Sequence, residues 1–393
     1  MGALGVLALL LLAYNLRVAV SSVPPILGDL GLSRGAQSLL VTVPVVCFGL
    51  AALAGPSLRR RLGEEQLLLL VVGVLTLGLV VRAVWPGAGL FVGTVLTGLG
   101  VAVMNVVLPA LIRGRFPGRA AAMTSAYTVS LSVGAGMAAG LTVPVLHASG
   151  SIRLALGIWA LPAALAGVVW LTQLGHSGSR STADVERGPA PVTARLWSSP
   201  VLWAVTGFFG LQSLIYYAML SWLPSVYRAR GDSAQAAGLL LAVLAVIGIG
   251  GNLLGPALAS RGRDQRLGIW ACVPLTVVGL LGVLFGPLGL APLFVAIFGI
   301  GSGASFSLAL LFMVLRSANA ATAVQLSAMA QGTGYLIAAA GPLVLGLIQA
   351  VTRSWTIPLL LVLAVVVLEL WPGLAAARDR TLELASPAQN SAS

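Results

Sequence analysis

The chain has 393 residues, of which 58% are hydrophobic and only 8% charged, so it has too little polar surface to cover a soluble globule of this size. Its formal net charge of +12 comes from arginines that lie mostly in short clusters between hydrophobic runs, which indicates membrane topology and argues against a nucleic-acid-binding face. The runs approach the roughly 20 residues of a membrane-crossing helix and exceed the roughly 9 to 11 residues of a barrel strand. We therefore predict an all-α integral membrane protein that lies in the lipid bilayer and binds no nucleic acid.

Breaks rich in proline, glycine and arginine divide the chain into twelve hydrophobic runs. The runs lie near residues 3–24, 36–56, 67–85, 88–112, 120–147, 152–173, 200–223, 235–259, 267–286, 291–315, 324–349 and 354–372. The polar stretch from Gly175 to Ser199 separates them into two sets of six and is typical of a flexible linker. We predict an N-terminal six-helix bundle, a cytoplasmic linker, a C-terminal six-helix bundle and a cytoplasmic tail over residues 1–173, 174–199, 200–373 and 374–393, respectively.

The arginines of the short loops predict the orientation of the chain. With the N-terminus in the cytoplasm, fifteen arginines lie on the cytoplasmic side and six, including Arg82, lie on the other. Cytoplasmic loops carry the excess of cations, so both termini are predicted to be cytoplasmic. The first run has no basic segment before it, which favours a retained span over a signal peptide. The lysine-free, alanine-, glycine- and arginine-rich composition is typical of a high-GC bacterial genome and hence of a multi-pass inner (plasma) membrane protein.

Two short sequence matches relate the two sets of runs. Residues 55–61, after the second run, recur as residues 255–261 after the eighth at an offset of 200. Residues 98–100 in the fourth run recur as residues 299–301 in the tenth at an offset of 201. The nearly equal offsets agree with the six-plus-six division and predict duplicated halves, as in many membrane transporters.

Six plus six spans, a long central loop and a Gly/Arg signature after spans two and eight resemble the major facilitator superfamily over nearly the whole chain. The superfamily signature reads Gly-x-x-x-Asp-Arg-x-Gly-Arg-Arg, and this chain has Arg59 at the acidic position and Leu62 at the second glycine. The resemblance implies the twelve-helix major facilitator fold. It also implies a conformational or gating role for the loop arginines Arg59, Arg60, Arg61, Arg261 and Arg263.

Five segments look like the cyanate and nitroimidazole transporter family. They contain Asn15 with Arg17, Asn105, Gln212 with Tyr216 and Tyr217, Ser305, and Gln331 with Tyr335. The narrower resemblance implies a secondary transporter for a small-molecule solute that works by alternating access, and it leaves the solute unnamed. Bundles of this kind commonly work as monomers, so we predict a monomer.

Arg17 is the one charged residue that lies clearly inside a hydrophobic run, and about 1.5 Å of rise per residue places it near mid-depth. A cation there costs about 2.5–3.5 kcal/mol on insertion scales, so it persists mainly where it faces protein, water or a ligand. Its planar five-donor fork suits a carboxylate or another small delocalised anion. The alternative is an arginine that binds backbone carbonyls or Asn15 and holds the helix near Pro24 and Pro25.

The remaining candidates are polar side chains within hydrophobic runs. Gln212 and Tyr216, like Gln331 and Tyr335, are four residues apart and share a helix face. Interhelical hydrogen bonding competes with solute contact as the explanation of each residue. The predicted substrate-binding set is Arg17, Asn15, Asn105, Tyr127, Gln212, Tyr216, Tyr217, Ser305, Gln331 and Tyr335.

Acidic residues are nearly absent from the hydrophobic runs. Glu369 alone lies within one, close to its cytoplasmic end, so no mid-membrane carboxylate is predicted as a proton carrier. Cys47 and Cys272 are spaced for neither a disulfide framework nor a metal site. Metal-ligand clusters, nucleotide-binding Gly/Lys loops and nucleophile constellations are missing from the sequence as well. We predict neither an enzyme nor a cofactor or metal requirement.

The leading functional prediction is a secondary active transporter for a small anionic or polar solute, similar to cyanate, a nitroimidazole or a carboxylate. The alternative is a proton-coupled multidrug or toxicant exporter for neutral or anionic compounds, because a cation exporter would need a carboxylate in its cavity. A third class, a membrane scaffold or receptor that transports nothing, gives no reason for a buried arginine.

Overall fold

The computed structural model of the chain describes residues 3–61, 64–85, 87–116, 119–172, 197–259, 261 and 264–382, and the side chains among them except at 3, 54–61, 64–65, 110, 113–114, 120–121 and 320–321. The α-helices are α1 (Ala3–Ser21), α2 (Arg34–Arg61), α3 (Glu64–Val84), α4 (Ala88–Arg115), α5 (Ala120–Ser149), α6 (Ile152–Gly157), α7 (Ala160–Leu171), α8 (Pro200–Ala229), α9 (Ala234–Ala259), α10 (Arg266–Phe285), α11 (Ala291–Leu315), α12 (Ala320–Thr352) and α13 (Thr356–Ala376).

Twelve segments of the described chain are long and apolar enough to cross a membrane, which confirms the predicted all-α membrane fold. Each segment coincides with one of the twelve hydrophobic runs, and α6 and α7 together make the sixth. Helix α8 extends beyond its predicted run because Pro224 does not end it, and the helix continues to Ala229. Pro342 likewise lies inside α12. Within a membrane bundle, neighbouring groups satisfy the backbone that such a proline frees.

The first crossing is interrupted shortly after Arg17. Helix α1 ends at Ser21, and a 3-10 segment over Pro24–Leu30 completes the crossing. Two consecutive prolines lack the N–H groups that would continue the α-helix, and Gly31 then takes a φ of 67° that L-residues with a side chain rarely adopt.

Arg82, which the sequence places among the outer loop arginines, is buried at the interruption of α1, with only 2% of its surface exposed. Its Nη1 donates to the carbonyl of Ala19 at 2.8 Å, and its Nη2 donates to the Ser22 hydroxyl at 3.0 Å. A cation at the C-terminal end of a helix is favoured by the helix dipole and satisfies carbonyls that have no partner within the helix. The loop assignment of Arg82 was therefore wrong, and the side chain supports the end of α1.

The two sets of helices contact each other most extensively along two pairs of helices, and the 3-10 segment Pro24–Leu30 also packs against α8 and α9. Helix α2 packs against α12, and α5 packs against α9, while most other extensive contacts lie within α1–α7 or within α8–α13. Close approach between the sets depends on small residues, since a Cβ built on Gly238 would lie 2.8 Å from the Ala139 carbonyl oxygen. Small residues of this kind let membrane helices approach closely.

The predicted domain boundaries remain predictions. Most of the predicted linker, residues 174–196, lies outside the described residues, and so does the tail from residue 383 onward. The described start of the tail is not free chain, because α13 continues to Ala376 and the Leu382 backbone N–H donates to the Arg316 carbonyl at 2.8 Å.

Candidate substrate-binding site

Arg17 lies on α1 one turn before the helix ends and remains partly exposed. The carbon of its guanidinium group is 5.6 Å from the centroid of the Tyr216 ring, which is within cation–π range. Tyr217 lies within hydrogen-bonding reach of Arg17 and of Tyr335. None of the carboxylates in the described part of the chain forms an ion pair with Arg17. The guanidinium therefore lies beside phenol rings and has no carboxylate partner among the described residues.

Aromatic rings form a continuous wall beside Arg17. The centroids of Tyr216 and Tyr217 are 5.3 Å apart, and those of Tyr217 and Tyr335 are 6.1 Å apart. Phe209 packs edge-on against Tyr335 at 5.1 Å, and Phe48 contacts both Tyr217 and Tyr335 at 5.9 and 5.7 Å. Tilted and edge-to-face contacts at these distances are the favoured aromatic arrangements. We call Arg17 and these five rings the Arg17 cluster.

Both halves of the protein contribute to the Arg17 cluster. Arg17 and Phe48 belong to the first six crossings, and the other four rings belong to the last six. Tyr127 of α5 adds a further phenol close enough to interact electrostatically with Arg17. The cluster therefore lies where the two halves meet, which is where transporters of duplicated halves bind their solutes.

Close helix packing positions Arg17. A Cβ built on Gly134 of α5 would lie 2.2 Å from the Tyr14 carbonyl oxygen, so only glycine allows α5 to cross α1 at this height. The Ser130 hydroxyl, one turn earlier on α5, donates to the Leu10 carbonyl at 2.6 Å. These two contacts fix α1 next to the turn that carries Arg17.

Asn15 lies on another face of α1. Its Nδ2 donates to the carbonyls of Leu11 and Pro162 at 2.7 and 3.0 Å, and its side chain is completely buried. The structure therefore joins Asn15 to α7 and does not bring it to Arg17. This geometry is that of an interhelical hydrogen bond.

The other predicted residues lie in both half-bundles: Gln212, Ser305 and Gln331 in the second, and Asn105 in the first. Gln212 donates to the Ser302 carbonyl at 3.2 Å, and Ser305 donates to Cys272 Sγ at 3.3 Å; both side chains are buried within the second half. Gln331 donates to the Ser327 hydroxyl at 2.7 Å on its own helix. Asn105 is exposed on α4. Of the predicted set, the structure brings these phenols to Arg17: Tyr127, Tyr216, Tyr217 and Tyr335.

Of the five predicted gating arginines, the structure describes the side chain of Arg261 alone. Arg261 is exposed. The side chains of Arg59, Arg60 and Arg61 lie outside the described residues, as does Arg263. Their gating role stays a prediction.

An ion pair that sequence reasoning missed joins the two halves. Both guanidinium Nη atoms of Arg228, near the end of α8, donate to the Asp29 carboxylate at 3.0 and 3.1 Å. A Cβ on Gly28 would lie 3.0 Å from Arg228 Nη1, so the glycine leaves room for the guanidinium. Asp29 and Arg228 are 199 residues apart, and no local pattern in the sequence indicates their pairing.

The surroundings of Glu369 are a second feature that sequence reasoning missed. The sequence puts it near the cytoplasmic end of a hydrophobic run, but its side chain is only 1% exposed and its Oε1 has no hydrogen-bond partner among the described residues. One turn later on α13, a Cβ built on Gly373 would lie 3.0 Å from a ring carbon of Phe208, so α13 packs closely against α8 here. Glu369 thus lies near the end of its run, as the sequence indicated, and the structure adds that its carboxyl group is buried between helices. No periodicity in the sequence marks the burial of this acid.

Comparison with known proteins identifies the family to which the chain belongs. The profile of the Major Facilitator Superfamily matches residues 5–342. The chain is 36% identical to the "Uncharacterized transporter YycB" of Bacillus subtilis (strain 168) over 390 residues, which are 98% of this chain and 96% of that protein. It is 34% identical to the "2-nitroimidazole transporter" of Escherichia coli (strain K12), with 95% of each chain covered. It is 30% identical to the "Cyanate transport protein CynX" of the same organism, with 89% of this chain and 91% of that one covered.

A solved structure has the same fold. A bacterial homolog to the human lysosomal transporter Spinster, in an inward-facing and occupied conformation, superposes with a TM-score of 0.75 at 16% sequence identity. The superposition covers 98% of this chain and 97% of that one. At this identity the likeness concerns the fold alone.

Proposed function

The chain belongs to the major facilitator superfamily, and from this premise we propose that it is a secondary active transporter that moves a small anionic or polar solute by alternating access. The family and the named relatives are transporters and not enzymes. In this proposal Arg17 is the cationic anchor of the solute, and the rings around it form the wall of the binding cavity.

The observation that carries the proposal is the state of Arg17. It is partly exposed, faces the ring of Tyr216 at 5.6 Å and has no carboxylate partner among the described residues. An intramembrane cation without a counterion is costly, and an anionic ligand supplies the missing charge. A planar anion can accept two parallel hydrogen bonds from the guanidinium fork.

The chemistry of the cavity limits the solute class. Arg17 provides the positive charge, the Tyr217 and Tyr335 hydroxyls provide polar contacts, and Phe48 and Phe209 provide flat apolar surface. Small delocalised anions and planar polar rings fit this combination. Two relatives carry names that refer to cyanate and 2-nitroimidazole, which agrees with this class.

An ion pair between the two halves supports the proposal of alternating access. The Asp29–Arg228 ion pair joins them on the side that the arginine distribution predicts to be extracellular. Breaking this pair is one step that opening towards that side requires. We propose a multi-pass protein of the plasma membrane with both termini in the cytoplasm, and fusion of a reporter that is active only in the cytoplasm to the C-terminus tests the orientation.

Transport in proteoliposomes tests the proposed function. Uptake of cyanate, nitrate, acetate, benzoate and 2-nitroimidazole is measured with and without a pH gradient, and protein-free liposomes correct for passive entry. For each transported anion, we expect Arg17→Lys to reduce uptake about tenfold, because lysine lacks the fork, and Arg17→Ala to reduce it about a hundredfold.

Arg153→Ala is the matched control, since Arg153 is exposed outside the cluster. It should transport like the wild type. Wild-type rates in both Arg17 variants, with normal insertion, would refute the anchor role. Failure of the wild type to transport any of the five compounds would count against the proposed solute class.

Export of neutral or anionic aromatic compounds is the second candidate function. The observation in its favour is the number of rings around Arg17, since Phe48, Phe209 and Tyr335 would accept an aromatic compound without a charge. Inside-out vesicles distinguish the two candidates. An exporter accumulates such a compound in these vesicles when the lumen is acidic, and Arg17→Ala affects neutral compounds less than anions.

A further inference from the structure

Glu369 is a buried carboxyl group that the Arg17 cluster does not use. It lies on α13 about two turns before the helix ends at Ala376, with 1% of its surface exposed and Oε1 without a partner. Helix α13 packs against α8, α10 and α12. Among the described residues, Cys272 of α10 is the titratable group that interacts with it, and no cation pairs with it. An ionised carboxylate in this place is therefore costly unless a strong hydrogen-bond donor stabilises it, and binding of a proton removes the charge.

Ser305 can serve both protonation states of this carboxyl group. Its hydroxyl donates to Cys272 Sγ at 3.3 Å and lies close enough to Glu369 to interact with the carboxyl group. A serine hydroxyl has one hydrogen to donate and can rotate. When Glu369 is protonated, the acid donates to Ser305, which donates to Cys272. When Glu369 is ionised, the Ser305 hydroxyl turns and donates to the carboxylate.

Further polar groups lie between the Glu369, Ser305 and Cys272 side chains and Arg17. Ser302 lies one turn before Ser305 on α11, its carbonyl accepts from Gln212 at 3.2 Å, and its hydroxyl is buried without a partner among the described residues. Gln212 lies one turn before Tyr216, whose ring faces Arg17. Buried polar groups without partners need an explanation, and a path for a proton supplies one.

We propose that Glu369 is the site at which a proton binds for co-transport with the anion, with Ser305 and Cys272 as its hydrogen-bond partners. The proposal rests on the function proposed above. One proton balances the charge of one anion, so their joint uptake avoids the electrical cost of moving an anion into a cell that is negative inside. On one side of the membrane the carboxylate gains a proton as an O–H bond forms. On the opposite side the same O–H bond breaks and the proton is released, and no other bond changes.

Two measurements on the full-length protein test the proposal. In proteoliposomes that are alkaline inside by one pH unit, the wild type should accumulate cyanate or nitrate up to about tenfold. Glu369→Gln should reduce this accumulation to the passive level while exchange of internal for external anion stays within about threefold of the wild type. Infrared spectroscopy of the purified protein should detect a buried carboxylic acid band that titrates with pH and is missing in Glu369→Gln.

Each result supports or overturns the proposal. Wild-type accumulation in Glu369→Gln, loss of exchange together with accumulation in a folded variant, or a wild-type infrared spectrum without a titrating band would overturn it. The infrared result needs no solute, so it separates failure of this proposal from failure of the proposed function. If Glu369→Gln does not fold, Glu369→Asp should retain accumulation and Ser305→Ala should shift the pH at which the band titrates.

Discussion

At the scale of single residues, the central feature is a guanidinium held by phenols. Tyr217 is within hydrogen-bonding reach of Arg17, whereas Tyr216 offers it the face of a ring. The two neighbouring tyrosines therefore hold the same cation through different interactions. Their hydroxyl groups should differ in importance, although both residues lie side by side on α8.

Conservative substitutions separate these two interactions. Tyr217→Phe should raise the KM of a transported anion about fivefold, because it removes a hydrogen bond worth about 1 kcal/mol. Tyr216→Phe keeps the ring and should change KM less than twofold, while Tyr216→Ala removes the cation–π contact and should raise KM about tenfold. Uptake kinetics in proteoliposomes give the values. Equal effects of the two phenylalanine variants would contradict the assigned roles.

At the scale of helices, the position of Arg17 depends on how closely α5 crosses α1. Gly134 allows this crossing, Arg82 binds the end of α1, and the 3-10 segment Pro24–Leu30 completes the first crossing. Displacement of any of these elements moves the guanidinium relative to the rings of the second half. Hydrophobic periodicity does not indicate such contacts, because it shows which helices exist and not where they cross.

Alanine in place of Gly134 tests the crossing. Gly134→Ala should destabilise the protein by about 1–3 kcal/mol and raise KM, because the new methyl group overlaps the Tyr14 carbonyl. Gly73→Ala is the matched control in the same half, since a Cβ there has no atom within 4 Å. Thermal unfolding in detergent and uptake kinetics measure both effects. A Gly134→Ala protein as stable as the control would show that α1 is not fixed by this crossing.

For the molecule as a whole, the described residues connect the halves through two extensive helix pairs, the Arg17 cluster and the Asp29–Arg228 ion pair. The side chains of Asp29 and Arg228 are each 33% exposed, so water screens their attraction, and the pair should contribute about 0.5–1 kcal/mol to closure of the outer side. In the alternating-access cycle proposed above, such a contribution is small enough for the pair to be broken in each cycle.

Neutralising the ion pair should shift the molecule towards the outward-open state. In a Ser221→Cys background, Asp29→Asn should increase labelling by an impermeant maleimide from outside about two- to fivefold, because Ser221 is only 4% exposed in the structure, in which the Asp29–Arg228 pair is formed. Exchanging the two charges, with Asp29→Arg and Arg228→Asp, should restore slow labelling. The control Asp264→Asn breaks an exposed pair within one half and should have no effect. Unchanged labelling in Asp29→Asn would contradict a gating role.

The pattern of hydrophobic runs predicted the membrane class and the twelve crossings, and the motifs along the chain predicted the superfamily, because hydrophobic length and short motifs are local properties. The cost of a buried charge, which is also local, marked Arg17 as a candidate, and its role stays a prediction. The sequence also indicated Tyr216, Tyr217 and Tyr335, which the fold brings to Arg17. The packing of the helices, by contrast, was needed to show that Asn15 bonds to α7, that Arg82 and Glu369 are buried, and that Asp29 pairs with Arg228. These outcomes depend on how helices distant in sequence rotate and cross, and side-chain spacing within one helix carries no information about its neighbours.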